Sequence, residues 1–251
     1  MNEKIRNIVF DLGGVLVGLD GRRSMAAFDA LGCEAVSEYI RDHRTEDLFY
    51  RIELGLITTH EFCEEIRQMT RTTATDEQMV EAWNVLISEP TAERLRALWA
   101  LREEGYRLFL LSNTNDMHWQ HCLPMFRRQS AEDAGRAGVD ADALPFERVF
   151  LSYEMHLAKP DTQIFSEVMR QAGLQASETL FIDDNEANVK AAASVGMATY
   201  WNRRIDDWLH SKALRARFKG DCVAFKVQRR FAPFKESSRF KGDVVACDGT
   251  L

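Results

Sequence analysis

The fold is decided by the stretch Ile8-Val9-Phe10-Asp11-Leu12-Gly13-Gly14-Val15-Leu16. Its apolar run does not alternate with polar residues, which is typical of a strand buried on both faces. The acid stands where this strand ends, and the glycines allow a tight turn and a close approach to a ligand. By itself the segment also fits an ordinary turn with a strand-end acid, so its meaning depends on the rest of the chain.

Three further apolar runs share this character: Leu108-Phe109-Leu110-Leu111, Arg148-Val149-Phe150-Leu151 and Thr179-Leu180-Phe181-Ile182. Between them, residues 90–105 and 161–173 carry apolar side chains at helical spacing, and both segments end at a glycine. Strands that alternate with helices of this length favour parallel pairing with right-handed crossovers. We predict an α/β fold with a Rossmann-like parallel sheet and helices on both faces.

The interval 20–87 interrupts this alternation, because it holds helix signals and no clear strand. Thr58-x-x-Glu61 and Thr75-x-x-Gln78 match the capping box that begins many helices. An insertion directly after the first strand lies over the carboxyl end of the sheet, where open α/β folds bind ligands. We therefore predict a helical cap domain at 20–87 and a core domain formed by residues 1–19 and 88–202.

The last segment, 203–251, differs from the rest in charge. It carries a net charge of +6, whereas residues 1–202 carry −13. An acidic body argues against nucleic-acid binding as the main activity, since such surfaces are basic. The basic extension alone could touch a polyanion. Within it, residues 217–224 return almost unchanged at 239–246, and this repeat predicts no particular structure.

The composition indicates an ordinary globular protein, with 45% hydrophobic and 28% charged residues. Apolar runs stay well short of the ~20 residues that a membrane span needs. The five cysteines are widely spaced and never form CxxC, which disfavours a disulfide framework and a zinc knuckle. We expect an unprocessed protein of the reducing cytoplasm without a membrane partner.

Polar side chains follow the predicted strands at one edge of the sheet. A hydroxyl follows the second strand at Ser112, a lysine precedes a helix at Lys159, and two acids follow the fourth strand at Asp183-Asp184. Each alone fits a turn residue or a solvated charge. Adjacent carboxylates repel each other unless a cation neutralises them, so the combination with Asp11 predicts a metal site.

These segments resemble the four motifs of the haloacid dehalogenase superfamily of phosphohydrolases, over roughly residues 5–202. The matching positions are Asp11, Ser112, Lys159 and Asp183-Asp184. The sequences Phe-Asp-Leu-Gly-Gly-Val, Leu-Ser-Asn-Thr-Asn and Phe-Ile-Asp-Asp-Asn are most similar to the bacterial α-D-glucose-1-phosphate phosphatase branch. A more distant similarity is to the phosphatase domain of soluble epoxide hydrolases.

The resemblance implies hydrolysis of a small phosphate ester through an aspartyl-phosphate on Asp11. Lys159 is then expected to neutralise charge on the phosphoryl oxygens. Ser112 and the Asn113 amide are expected to hold the same oxygens. The implied substrate is a sugar phosphate such as a hexose 1-phosphate.

The resemblance also implies Mg²⁺ as the cofactor. Its expected ligands are a carboxylate oxygen of Asp11, the backbone carbonyl of Gly13 and a carboxylate oxygen of Asp184. Asp183 is expected to assist through water or through Lys159. Hard oxygen ligands of this kind suit Mg²⁺ better than zinc.

One position departs from the family pattern. Most family phosphatases carry a second Asp two residues after the nucleophile, where this chain has Gly13. That Asp protonates the leaving group, and its loss would normally cost ~10²–10⁴ in rate. A sugar 1-phosphate tolerates the loss best, because an anomeric hydroxyl is more acidic than an ordinary alcohol.

Two residues are candidates to compensate for the missing acid or to contact the sugar: His118 and the cap residue Glu53. An ordinary surface or hydrogen-bonded histidine is the alternative for His118. A covering cap favours a small soluble substrate, because a folded protein could not be enclosed.

Two other functions fit the same motifs. A 2-haloacid dehalogenase uses a similar aspartate nucleophile without metal, but Asp183-Asp184 argues for a metal. A catalytically weak phosphate-binding or regulatory protein would retain the pocket and, with Gly13, lack turnover. The sequence leaves the substrate and the oligomeric state open.

Overall fold

The computed structural model describes residues 5–41, 48–133 and 143–215. The strands in these ranges form one five-stranded sheet in the order β3-β2-β1-β4-β5, and all neighbours are parallel. They are β1 (Asn7–Phe10), β2 (Arg107–Ser112), β3 (Arg148–Leu151), β4 (Thr179–Asp183) and β5 (Ala198–Trp201). The predicted parallel α/β class is confirmed.

The fifth strand is absent from the sequence prediction, which was wrong on this point. All residues of β5 are only partly buried, because the strand lies at an edge of the sheet. Its sequence, Ala198-Thr199-Tyr200-Trp201, has no apolar run like that of β3, the other edge strand.

The sheet register places the predicted motifs at one edge. β1 is central, and Phe10 pairs with Leu110 of β2 on one side and Ile182 of β4 on the other. Asp11 and Asp183 directly follow Phe10 and Ile182, and Ser112 lies two residues after Leu110, so all three stand at the carboxyl ends of neighbouring strands. This brings Asp11, Ser112 and Asp183 to the same carboxyl edge.

Helices occupy the interval between β1 and β2. They are α1 (Gly21–Ala30), α2 (Glu34–Arg41), α3 (Leu48–Glu53), α4 (Thr59–Thr70), α5 (Asp76–Asn84) and α6 (Ala92–Glu103). Both predicted capping boxes are confirmed, at the beginning of α4 and of α5. Side chains of α1 to α5 surround a hydrophobic cluster that contains Phe28, Phe62 and Trp83. The boundaries of a cap domain remain a prediction.

The other helices follow β2 along the chain. They are α7 (Asp116–Asp133), α8 (Ser152–Met155), α9 (Thr162–Ala172), α10 (Glu186–Ser194), α11 (Asp207–His210) and α12 (Lys212–Arg215), with a 3₁₀ turn at Ala176–Glu178. The predicted helix at 161–173 is confirmed: Asp161 caps the beginning of α9 and Gly173 ends it. Within the described ranges, no helix is both long and apolar enough to cross a membrane.

Hydrophobic clusters cover both faces of the sheet. One contains Phe10 with side chains of α6, α7 and α11, including Leu98 and Trp208. The other contains Val9 and Phe181 with side chains of α9 and α10. Alternate residues of β1 thus face opposite layers, as expected for a strand with two buried faces. Of the predicted extension, residues 216–251 and both copies of its repeat lie outside the described residues.

Candidate active site

Lys159 joins two carboxylates at the carboxyl edge of the sheet. Its Nζ lies 2.8 Å from Asp11 Oδ1 and 2.7 Å from Asp183 Oδ2, and it also donates to the Leu111 carbonyl at 3.1 Å. Although burial alone would lower the pKa of Lys159, the two carboxylates raise it. The side chain is 1% exposed. The lysine is therefore a buried, charged group held between the acids that follow β1 and β4.

The backbone of Lys159 is fixed by the side chain of Asn113. Asn113 Nδ2 donates to the Lys159 carbonyl, and the Lys159 N–H donates to Asn113 Oδ1, both at 2.8 Å. Sequence analysis assigned only the backbone amide of Asn113, toward the substrate, and missed this side-chain contact. An Asn in a loop after a strand carries no signal for a partner 46 residues away.

Asp183 is saturated with hydrogen-bond donors. Both its carboxylate oxygens accept from Asn188 Nδ2 at 3.1 Å, and Oδ1 accepts from the Asn185 N–H at 2.8 Å. With Lys159, these donors hold a fully buried carboxylate in one orientation. Asp184 is more exposed. The roles of Asp184 as metal ligand and Asp183 as helper stay predictions.

The three acids fit a divalent cation. Asp11, Asp183 and Asp184 each offer an oxygen, and these oxygens lie within 4.8 Å of one another. Burial raises the pKa of Asp11 to about 7, with Lys159 opposing and Asp183 reinforcing the shift. Burial and the Asp183 charge also raise the pKa of Asp184. One lysine does not balance three acids, whereas Mg²⁺ bound to hard oxygen ligands would let them ionise together.

The glycine turn packs directly on the diacid. Gly14 has a φ of +65°, and a Cβ built there would lie 2.2 Å from Asp184 Oδ2. A larger residue would therefore be strained and would displace the carboxylate. A Cβ at Gly13 would lie 2.7 Å from Leu19 Cδ1. The space next to Gly13 thus holds an apolar side chain, and this position supplies no acid.

Ser112 ends β2 and is almost fully buried beside the other motifs. Its Oγ donates to the Asn113 carbonyl at 3.3 Å, a long contact that a phosphoryl oxygen can replace. The next turn is held by Ser152 Oγ, which accepts from the Thr114 N–H at 2.9 Å. The β2 to α7 connection is therefore fixed on both sides of the predicted phosphate site.

His118 lies in the first turn of α7, stacked on Trp83 of α5 with ring centroids 5.0 Å apart. Burial lowers its pKa to about 4, although the Trp83 carbonyl opposes the shift. The ring is therefore neutral at pH 7 and cannot donate a proton as an imidazolium. The Trp83 carbonyl makes no hydrogen bond of normal geometry with His118 Nε2, and this atom, Trp83 Nε1 and Asn84 Oδ1 are buried without such a bond in the described residues. The sequence analysis missed Trp83 and Asn84, since an aromatic in an apolar stripe reads as core.

Glu53 ends α3 at a contact with the core. Its carbonyl accepts from Ser152 Oγ at 2.6 Å, and the carbonyl of Leu54 lies 2.8 Å from His156 Nδ1. Gly55, at φ +64°, approaches the Tyr153 carbonyl so closely that a Cβ would lie 2.1 Å from it. The contacts described for Glu53 are made by its backbone, and the role of its side chain in substrate binding stays a prediction.

Comparison with known proteins identifies relatives along nearly the whole described chain. The family model for haloacid dehalogenase-like hydrolases matches residues 5–196. A D-ribitol-5-phosphate phosphatase from Bacteroides thetaiotaomicron is 30% identical over 206 residues, covering 81% of this chain and 95% of that protein.

Solved structures of haloacid dehalogenase family proteins are also similar to this chain. A haloacid dehalogenase family enzyme from Bacteroides thetaiotaomicron, in complex with magnesium and inorganic phosphate, has a TM-score of 0.70 and 37% identity. The match covers 82% of this chain and 98% of that chain. A haloacid dehalogenase-like hydrolase from Porphyromonas gingivalis has a TM-score of 0.71 and 32% identity, covering 86% of this chain and 100% of that chain.

Proposed function

The chain belongs to the haloacid dehalogenase-like hydrolase family and is a Mg²⁺-dependent phosphoric monoester hydrolase, and from this premise we propose a sugar phosphate or sugar-alcohol phosphate as its substrate. The reaction proceeds through an aspartyl-phosphate on Asp11. The observation that supports Asp11 as the nucleophile is the position of Lys159 Nζ, which lies 2.8 Å from Asp11 Oδ1 and 2.7 Å from Asp183 Oδ2. The hydrogen bonds around Lys159 hold this phosphate-binding side chain next to the nucleophile Asp11 before the substrate binds.

In the first step a carboxylate oxygen of Asp11 attacks phosphorus, and the bond from phosphorus to the ester oxygen breaks. Lys159 neutralises charge on the transferred group, and Ser112 with the Asn113 N–H donates to its oxygens. Asp11, the Gly13 carbonyl and Asp184 would hold Mg²⁺, which would supply further positive charge and favour the ionised form of Asp11. In the second step water attacks phosphorus, the bond from phosphorus to the Asp11 oxygen breaks, and the proton of the attacking water passes to solvent, which leaves inorganic phosphate and the free Asp11 carboxylate.

The leaving oxygen takes its proton from water, because Gly13 has no side chain to supply one. Catalysis without a general acid depends strongly on how well the leaving group carries negative charge. This favours a sugar 1-phosphate, whose anomeric oxygen is a good leaving group. The ribitol phosphatase relative adds sugar-alcohol phosphates as a separate candidate class, which shares the hydroxyl-rich body but, as an ester of a primary alcohol, gains nothing from the leaving-group argument.

We assign the hydroxyl-rich part of the substrate to the junction of α5 and α7. Trp83 Nε1 and His118 Nε2 are buried polar atoms without partners in the described residues, and such groups gain much from a ligand hydroxyl. The helices at 21–84 act as the cap that encloses a small substrate. His118 then serves as a neutral binding group rather than as the missing acid.

Phosphate release from a panel of substrates tests this assignment. The panel contains glucose 1-phosphate, glucose 6-phosphate and ribitol 5-phosphate, each with Mg²⁺ and with a chelator. We expect Mg²⁺-dependent release from glucose 1-phosphate or ribitol 5-phosphate, with glucose 6-phosphate slower than glucose 1-phosphate. Equal rates for the two glucose phosphates would contradict the leaving-group argument.

A second candidate function is favoured by one observation, the apolar side chain of Leu19 in the space beside Gly13. A phosphate-binding protein with little turnover would tolerate this arrangement. It predicts that phosphate and Mg²⁺ raise the melting temperature while no panel substrate releases phosphate. A dehalogenase would release chloride from 2-chloropropionate without metal, and the three clustered acids argue against it.

A further inference from the structure

The loop that follows the nucleophile is held from outside by side chains distant in sequence. Three successive carbonyls of this loop each accept a hydrogen bond from such a side chain. The pairs are Asn202 Nδ2 to the Gly14 carbonyl at 2.9 Å, Trp208 Nε1 to the Val15 carbonyl at 3.1 Å and Arg94 Nη1 to the Leu16 carbonyl at 3.2 Å.

Residues 201–208, which include Asn202 and Trp208, also contact the backbone of Asp183 and Asp184. The Asn202 N–H donates to the Asp183 carbonyl at 2.8 Å, and Trp201 Nε1 donates to the Asp184 carbonyl at 2.8 Å. Residues 201–208 therefore contact the backbone on both sides of the predicted metal site. The match to the family model ends at residue 196, before this segment begins.

The members of this segment also fix one another. The backbone N–H of Trp208 donates to Asn202 Oδ1 at 2.9 Å, and the Trp208 indole packs edge-on against Phe10 of β1. Arg94 Nε lies 2.8 Å from Asp206 Oδ1. The three donor side chains are all buried. A rigid set of donors, not a flexible surface contact, thus surrounds the loop.

The position of this loop determines the distance between predicted metal ligands. Gly14 touches Asp184 closely enough that no Cβ fits between them, and Gly13 is the adjacent residue. Mg²⁺ requires near-ideal octahedral geometry. A small shift of the loop relative to Asp184 would therefore weaken Mg²⁺ binding. Groups that orient metal ligands from outside contribute in the same way.

We propose that residues 201–208, together with Arg94, form a clamp that sets the geometry of the Mg²⁺ site, with Asn202 and Trp208 as positioning residues. This inference rests on the proposed function, since it assigns Mg²⁺ to Asp11, Gly13 and Asp184. Asn202, Trp208 and Arg94 donate to backbone carbonyls of the loop. They act by fixing the backbone that carries the ligands.

Two variants of the full chain test the clamp. Trp208→Phe removes the indole N–H and keeps an aromatic ring against Phe10, and Asn202→Ala removes the amide. The control is Asn7→Ala, because Asn7 is also a buried Asn whose side chain is hydrogen-bonded, to Thr179 at 3.2 Å, although Asn202 makes more such bonds. Asn7 begins β1, at the opposite end of the sheet.

The readouts are the Mg²⁺ dissociation constant by calorimetry and the Mg²⁺ dependence of kcat. We expect both clamp variants to bind Mg²⁺ about 10-fold more weakly, with kcat recovering at high Mg²⁺, while the control keeps wild-type Mg²⁺ affinity. Recovery at high Mg²⁺ separates positioning from general destabilisation. Wild-type Mg²⁺ affinity in Trp208→Phe would overturn the proposal, and this variant decides if Asn202→Ala does not fold.

The wild-type protein keeps this test distinct from the proposed function. If it binds Mg²⁺ but releases no phosphate from the panel, the proposed function fails, while the ratio of variant to wild-type Mg²⁺ affinity still decides the clamp. If the wild type binds no Mg²⁺, both are overturned.

Discussion

Asn113 and Lys159 form a reciprocal pair, in which the side-chain amide of Asn113 both donates to and accepts from the backbone of Lys159 at 2.8 Å. The pair connects the loop after β2 to the turn before α9. The Lys159 ammonium between Asp11 and Asp183 is therefore carried by a backbone that is held in a fixed position. The precision of the site therefore depends on a residue that needs no direct part in the chemistry through its side chain.

Replacing Asn113 by Ala should lower kcat between about 10-fold and 10²-fold, since a displacement near 1 Å in an active site has effects of this size. Steady-state kinetics with the best panel substrate measure the change. Asn7→Ala is the control, because it loses a buried amide hydrogen bond far from the site. Equal kcat values for Asn113→Ala and the control would show that the pair is only structural.

The double variant Gly13→Asp with Leu19→Ala should restore a general acid. The Leu19 change clears space for the new side chain, because Leu19 Cδ1 lies 2.7 Å from a Cβ at residue 13. We expect hydrolysis of a primary alkyl phosphate to rise by up to ~10²-fold, and hydrolysis of p-nitrophenyl phosphate to change little, because that leaving group needs no proton. The same gain with both substrates would contradict the role given to Gly13.

Gly55→Ala should lower stability more than Gly173→Ala does. Both glycines have a left-handed φ, +64° and +62°, so both variants incur about 1–2 kcal/mol of backbone strain. Only the Cβ at Gly55 meets a backbone atom, the Tyr153 carbonyl at 2.1 Å, whereas nothing lies within 4 Å at Gly173. Urea unfolding compares the two variants.

The same variant reports on the contact between the interval 20–87 and the core. Because Gly55 lies in the segment that contacts α8, Gly55→Ala should also raise KM, and Gly173→Ala should not. Equal losses of stability, with an unchanged KM in both variants, would argue that this contact does not shape the substrate pocket.

The pKa of His118 predicts a pH dependence of stability. A histidine with a folded pKa of about 4 and an ordinary value of 6.5 is neutral in both states above pH 6.5, and it lowers stability as pH falls toward 4, because the unfolded chain binds the proton and the folded chain does not. The loss is about 1.4 kcal/mol per pH unit, or about 2 kcal/mol between pH 6.5 and pH 5. His118→Gln should lack it.

Urea unfolding at pH 7.5 and pH 5.0 in the presence of a chelator measures this difference. Other titrating groups are the same in both proteins, so their contributions cancel when wild type and His118→Gln are compared. An identical loss of stability in the two proteins would mean that His118 gains access to solvent or a proton acceptor.

Features that a local sequence pattern marks could be predicted, and features that depend on contacts between distant residues could not. Motifs that end buried strands, such as Asp11 and Asp183, were identified because apolar runs and polar ends mark them locally. β5 was missed because its sequence has no apolar run like that of β3, the other edge strand. The supporting contacts were missed for a different reason.

Asn113, Asn202 and Trp208 act through partners 46 to 193 residues away. Such pairs follow from the sheet order, which places distant segments side by side, and no local pattern encodes them. The stacking of His118 on Trp83 arises in the same way, between two helices that only the fold brings together.

The central claim is that Asp11 forms a bond to phosphorus in a Mg²⁺-dependent reaction. The most direct measurement is phosphate release from glucose 1-phosphate and ribitol 5-phosphate by wild type and by Asp11→Asn, with Mg²⁺ and with a chelator. We predict release by the wild type that requires Mg²⁺ and falls at least about 10³-fold in Asp11→Asn. Phosphate release by Asp11→Asn at the wild-type rate would contradict it.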